Sequence, residues 1–277
     1  MAAEHIADNI KPPRVLVFDS GVGGLTVFSR LREARPDAQF TYVADDAGFP
    51  YGNMDAEALL ARVVHLMDGL IAQLSPDIVV VACNTASTLV LPALRARFDI
   101  PFIGTVPAIK PAAEQTISGE ITILATPGTV ARDYTHDLIR KFADSSRVHL
   151  VGSTQLASFA ERELSGNPVR DDVLRDEVAP VFVDRDGART DMVVLACTHY
   201  PLLTKRLEHL APWPVTWIDP APAIARRMVQ LLGEATNGVP LQTAHATFTS
   251  GQQPHEALLL ALKQRGLEVD VHEKCAC

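Results

Sequence analysis

Two short segments of this chain end alike. Residues 78–85 read Ile-Val-Val-Val-Ala-Cys-Asn-Thr, and residues 192–199 read Met-Val-Val-Leu-Ala-Cys-Thr-His. Each is an apolar run that closes on Ala-Cys, continues through two polar residues and enters a helical pattern. Continuous β-branched runs of this kind suit strands buried on both faces, as in a parallel sheet covered by helices. Further strand candidates lie at Arg14–Phe18, Phe40–Ala44, Phe102–Gly104, Ile121–Ala125, Val148–Gly152 and Val215–Ile218. Between them run helical patterns such as Asp55–Gln73, Ser87–Phe98, Thr129–Phe142, Leu156–Leu164 and Ala223–Leu232. The alternation predicts βαβ units and an α/β fold with mainly parallel sheets. The echo adds a second expectation: two similar three-layer α/β domains, related by pseudo-twofold symmetry, with a cleft between them. The first domain is expected to take residues 1–103 plus 217–277 and the second 104–216. The last segment, with Phe248–Gly251 and a helix around Glu256–Lys263, returns to the first half.

Charge and composition narrow the classes of function. Of 277 residues, 47% are hydrophobic and 21% charged, as in an ordinary globular protein. The net charge of −8 and the lack of a Lys/Arg-dense run argue against a nucleic-acid partner. No apolar run approaches the ~18 residues of a membrane span, and Met1–Pro13 carries Glu4 and Asp8 without the apolar stretch of a secretion signal. The expected compartment is therefore cytoplasmic, where thiols stay reduced. Cys83, Cys197, Cys275 and Cys277 are accordingly read as free thiols, the last two on a mobile tail.

In open α/β sheets ligands bind beyond the carboxyl ends of the strands, which puts Cys83 and Cys197 each at the functional edge of its half. A thiol with an ordinary pKa of about 8.5 makes a good proton carrier, and a helix N-terminus lowers that value further. Reaching about 7 takes roughly 2 kcal/mol of thiolate stabilisation. A single buried cysteine is usually an inert hydrophobe, but two in one local context point to chemistry. Asn84, Thr85 and Thr198 offer hydrogen bonds beside them.

The first strand leads into Asp19-Ser20-Gly21-Val22-Gly23-Gly24-Leu25-Thr26. Its glycines bring backbone N–H groups near a ligand, but Thr26 stands where a dinucleotide fingerprint needs glycine; an anion such as a carboxylate fits better. Asp19 is either a helix N-cap or a partner of Cys83. His199 is open to assisting Cys197, to binding a carboxylate, or to serving as the base of a Cys–His hydrolase. Zinc held by Cys83, Cys197 and His199 is disfavoured, since no cysteines show C-x₂-C spacing.

Taken in order, Asp19–Thr26, Pro50-Tyr51-Gly52, Ala82-Cys83-Asn84-Thr85-Ala86, Ala125-Thr126-Pro127-Gly128-Thr129, Ala196-Cys197-Thr198-His199-Tyr200-Pro201-Leu202-Leu203 and Ile218-Asp219-Pro220 closely resemble the signatures of the glutamate racemases, within the aspartate/glutamate racemase family. The resemblance runs from about Val15 to Gly251. It implies interconversion of L- and D-glutamate for peptidoglycan, with no pyridoxal phosphate, no metal and a homodimeric state. It makes Cys83 and Cys197 catalytic, with Asp19 and His199 assisting. It makes Asp19, Ser20, Tyr51, Gly52, Asn84, Thr85, Thr198 and His199 substrate contacts, with Thr129 in addition, and Asp45 and Glu161 auxiliary acids.

There are two departures. Asp46-Ala47-Gly48 follows Asp45 where the family usually has Thr-Ala-Arg, which predicts a rim that has lost a positive charge. Ser153-Thr154 replaces a usual Cys-Pro pair, which leaves Glu161 open to being an exposed helix charge. Competing functions are a racemase acting on aspartate or on acidic amino acids broadly, an idle protein that binds a regulatory ligand or partner in the cleft, and the Cys–His hydrolase.

Overall fold

The structure, a computed structural model, describes residues 11–236, 239 and 241–270. Cys275 and Cys277, expected on a mobile tail, lie outside the described residues. In chain order the strands are β1 (Arg14–Asp19), β2 (Gln39–Ala44), β3 (Ile78–Val81), β4 (Phe102–Gly104), β5 (Glu120–Ala125), β6 (Arg147–Gly152), β7 (Asp184–Arg185), β8 (Ala188–Arg189), β9 (Met192–Ala196), β10 (Thr216–Ile218), β11 (Ala244–Phe248) and β12 (Leu267–Val269).

Among the described residues the strands form two sheets and a small hairpin. The first sheet runs β12-β11-β2-β1-β3-β4 and the second β10-β9-β5-β6, while β7 and β8 pair alone. Every pairing within the two larger sheets is parallel. The orders β2-β1-β3-β4 and β6-β5-β9-β10 are one pattern used twice: a central first strand, the second on one side, the third and fourth on the other. Cys83 follows the third strand of the first set and Cys197 the third of the second, so the echo in sequence is an echo in topology. β11 and β12 extend the first sheet beyond β2.

Alternation along β1 shows why each sheet becomes the middle layer of three. Val15 and Val17 face a core shared with helix Leu25–Ala34, helix Ala221–Leu232 and helix Glu256–Gln264. Leu16 and Phe18 face the opposite core, with Leu59, Val63 and Met67 of helix Ala56–Leu74 and Val90 and Leu94 of helix Asn84–Arg97. The second sheet repeats this, with Val193 and Leu195 on one face and Ile121, Ile123 and Val194 on the other.

Three expectations need correction. The predicted return to the first half at residue 217 falls inside β10, which is in register with β9 (Thr216 against Met192), so the crossing follows Ile218. An apolar run announces a strand but not the sheet it joins. The predicted helix Thr129–Phe142 is two: Pro127–Val130, capped by Thr126, and Asp133–Phe142. Arg132 between them is extended, and the Thr135 hydroxyl closes the break by donating to the Thr129 carbonyl at 2.7 Å. The helix expected from Ser87 begins at Asn84, directly after an extended Cys83.

Candidate active site

β1 delivers Asp19 and β3 delivers Cys83 to the same edge of the first sheet. Asp19 is fully buried. Its Oδ2 accepts from the N–H groups of Gly24 (2.9 Å) and Gly21 (3.3 Å), so it ties down the glycine turn, while Gly24 stands at the helix N-cap. Among the described residues its Oδ1 has no partner. Burial, the largest influence, lifts the Asp19 carboxyl above its ordinary value, against the pull of His199 and of the N–H groups of Gly24 and Ser20. The Cys83 thiol donates to Ser20 Oγ at 3.6 Å. Burial pushes this thiol well up and the charge of Asp19 pushes it further, while the Ala86 N–H and the Ser20 hydroxyl pull it down. The charge of Cys197 also raises it, so the two sulfurs are within electrostatic reach.

The second half surrounds its cysteine differently. No α-helix begins directly after Cys197; a short 3₁₀ turn, Tyr200–Leu203, comes first. His199 Nδ1 stands 3.8 Å from Cys197 Sγ, and its Nε2 stands 2.9 Å from Glu161 Oε1. Burial opposes a charged His199, but the hydrogen bonds and charges of Cys197 and Glu161 outweigh it and hold the imidazole well above its ordinary pKa. Burial likewise opposes a charged Glu161. The His199 hydrogen bond and charge, with the Val22 N–H, win and keep its carboxyl low. Glu161 is thus a hydrogen-bonded partner of His199 rather than an exposed helix charge. Ser153, at the other departure, accepts from the Leu156 N–H at 2.9 Å, at the start of the helix that carries Glu161.

The strand ends of the two halves meet around these groups. The Val22 N–H donates to Glu161 Oε1 at 3.1 Å and the Thr26 hydroxyl to the Thr198 carbonyl at 3.2 Å. The His199 ring lies against Gly23, where an added Cβ would sit 2.3 Å from Nδ1; only glycine leaves that seat open. Thr85 Oγ1 lies 2.9 Å from Thr126 Oγ1 and 3.3 Å from Thr129 Oγ1, a threonine triangle across the halves. Asn84 is buried, and neither of its amide atoms has a partner among the described residues. Tyr51 donates its hydroxyl to Asp45, and Gly52 packs against Thr126. Asp45 lies behind Tyr51, bound to other protein groups.

Sequence reasoning missed four residues here. Tyr42 donates to the Gly21 carbonyl at 2.9 Å and lies 3.5 Å from Asp19 Oδ2. Thr26 ties the halves, Thr126 completes the triangle, and Arg62 binds Asp45. Thr126 was the findable one, a threonine before proline at a helix start; Arg62 has no local signal. The rim expected to lose its cation has a guanidinium beside Gly48 after all, from Arg62. Among the described residues, no group of three His, Cys, Asp or Glu is arranged to hold a metal.

A model of the Asp/Glu/Hydantoin racemase family matches residues 26–228. A glutamate racemase of Agrobacterium fabrum is 52% identical over 274 residues, covering 96% of this chain and 97% of its own. One from Brucella canis is 57% identical over 225 residues, 80% of this chain and 81% of its own. Among solved structures, Escherichia coli glutamate racemase in complex with L-glutamate and the activator UDP-MurNAc-ala superposes with a TM-score of 0.85 at 41% identity, over 94% of this chain and 97% of that one.

Proposed function

The chain belongs to the Asp/Glu/hydantoin racemase family, and on that premise we propose that it interconverts L- and D-glutamate without a cofactor, moving one α-proton between Cys83 and Cys197. The observation that carries this is the pair of buried cysteines at equivalent strand ends of two sheets that meet there. The relatives described above are glutamate racemases, which favours glutamate over aspartate.

One cysteine, as thiolate, takes the α-proton; the other, as thiol, delivers a proton to the opposite face. The first ends as thiol and the second as thiolate, so the opposite enantiomer uses the pair in reverse. Asp19 assists Cys83, and the His199 cation beside Cys197 stabilises charge on that sulfur. Ser20, Tyr51, Gly52, Asn84, Thr85, Thr129, Thr198 and His199 contact the amino acid. The unpartnered amide of Asn84 supports this, because a buried polar group left without a partner costs about 1–3 kcal/mol that a ligand relieves. In the cell the enzyme supplies D-glutamate for peptidoglycan from the cytoplasm, as a homodimer. None of the described helices is long and apolar enough to cross a membrane.

The test is incubation with D- or L-glutamate in D₂O without added cofactor, following optical rotation and α-deuterium. Decay of rotation with deuterium at the α-carbon is expected. Inactivity on glutamate but turnover of aspartate would move the substrate; inactivity on both would end the proposal. The row Cys197–His199–Glu161 favours one second reading, a Cys–His hydrolase, which requires Cys83→Ala to stay active.

A further inference from the structure

Arg62 sits in helix Ala56–Leu74 among residues that fill the core, yet its head turns toward the loop after β2. Its Nε and Nη2 donate to Asp45 Oδ2 and Oδ1, both at 2.6 Å, the bidentate fork that lysine cannot reproduce. Asp45 is fully buried and accepts two more bonds, from the Tyr51 hydroxyl and from Thr249 Oγ1 at 2.5 Å. One carboxylate therefore gathers a helix, the loop that carries Tyr51 and Gly52, and the chain leaving β11. Because Tyr51 spends its O–H on Asp45, its oxygen is left with acceptor capacity alone.

Gly48 makes the fork possible. An added Cβ there would lie 2.6 Å from Arg62 Nε, 2.8 Å from Asp45 Oδ2 and 2.9 Å from Tyr51 Cε1. This is the position where the resemblance leads one to expect arginine. The loop loses that side chain, and a cation enters from the helix into the space that glycine leaves. Farther along, Gly52 packs against Thr126 of the second half, so the loop is one wall of the site.

We propose that Arg62 is a positioning residue: through Asp45 it fixes the loop bearing Tyr51 and Gly52 in the shape that receives the amino acid. The proposal rests on the glutamate assignment above. Arg62 hydrogen-bonds none of Cys83, Cys197, Asp19 or His199, so its loss should appear in substrate binding more than in proton transfer.

The experiment measures KM and kcat for both enantiomers of glutamate with the full-length protein, its Arg62→Ala, Arg62→Lys and Gly48→Ala variants, and thermal unfolding of each. Arg62→Ala should raise KM about tenfold, as removal of a group behind a ligand-contacting one does, with kcat changed by less than about threefold. Arg62→Lys should fall between, since a point charge replaces the fork. Low-millimolar guanidinium, too dilute to unfold the protein, should lower the KM of Arg62→Ala and leave the unaltered protein unchanged. Gly48→Ala should raise KM as Arg62→Ala does, by evicting the guanidinium. An unchanged KM in Arg62→Ala, or a loss confined to kcat and deaf to guanidinium, overturns the proposal. If Arg62→Ala fails to fold, Gly48→Ala decides, and an unchanged KM there overturns it equally. An unaltered protein that is idle on glutamate would instead bring down the functional assignment, and this proposal with it.

Discussion

Cys83 and Cys197 occupy one position in two copies of one four-strand unit, yet their neighbours are of opposite kinds. Cys83 has a buried carboxyl, a hydroxyl and a helix N-terminus; Cys197 has an imidazole backed by a carboxylate. Burial and the Asp19 charge favour the proton staying on Cys83. On the other side a cation faces the sulfur. Duplicated topology supplies two sites for a thiol, and the side chains around each then differ in sign. Under the proposed mechanism a shuttle between two carriers needs one loaded and one empty, and the surroundings of Cys83 favour the loaded one there.

The harshest test of the comparison is removal of either sulfur. Cys83→Ser and Cys197→Ser should each lower racemisation by at least about a thousandfold in both directions, because a hydroxyl is a far weaker acid than a thiol. A variant active in both directions would show that its half is not a carrier. Next comes His199→Asn, expected to cost about a hundredfold or more, the usual scale of acid–base assistance. Measuring kcat for each enantiomer separately sharpens the contrast: kcat/KM must fall equally in both directions, so unequal losses of kcat would reveal which direction leans on the cation.

Glu161→Gln should be milder, about tenfold, but it carries a sign. Glu161 raises the His199 pKa, so its removal should move the alkaline limb of the kcat/KM profile to lower pH. The same pair has a stability signature. Glu161, held low, contributes stability above its unfolded pKa that is lost as pH falls through its folded value. His199, held high, contributes stability below its unfolded pKa that is lost as pH rises through its folded value. An alkaline limb unmoved by Glu161→Gln would uncouple the two residues. The smallest effect belongs to Thr26→Val, which removes one hydrogen bond between the halves; it should cost about 1 kcal/mol in a denaturant titration.

Where periodicity and punctuation are local, the chain was legible. The valine runs of β3 and β9, the terminal Ala-Cys pairs and the glycine turn after β1 announced parallel strands and the strand ends at which the two halves meet. What could not be read depended on contacts across long separations. Glu161 pairs with His199 only because its helix packs against the segment that follows β9, 38 residues further along the chain, so its helix position alone left it ambiguous. Arg62 looks like a solvated charge on an apolar helix until Gly48 opens a space for it. β10 could be named a strand but not assigned to a sheet, since the run that marks it says nothing of its neighbour.

Both sulfurs are almost entirely shielded, Cys83 at 5% and Cys197 at 6% exposure. A carrier so enclosed trades its proton with water slowly, so under the proposed mechanism the molecule that has just released one enantiomer keeps a memory of it. It is set to accept that same mirror image and must relax before it accepts the other. The unlike surroundings of the two sulfurs then give the relaxation a direction, toward the proton resting on Cys83. Mirror images settle at equal amounts whatever the catalyst does, so this bias would be visible only in how the approach from each side unfolds in time.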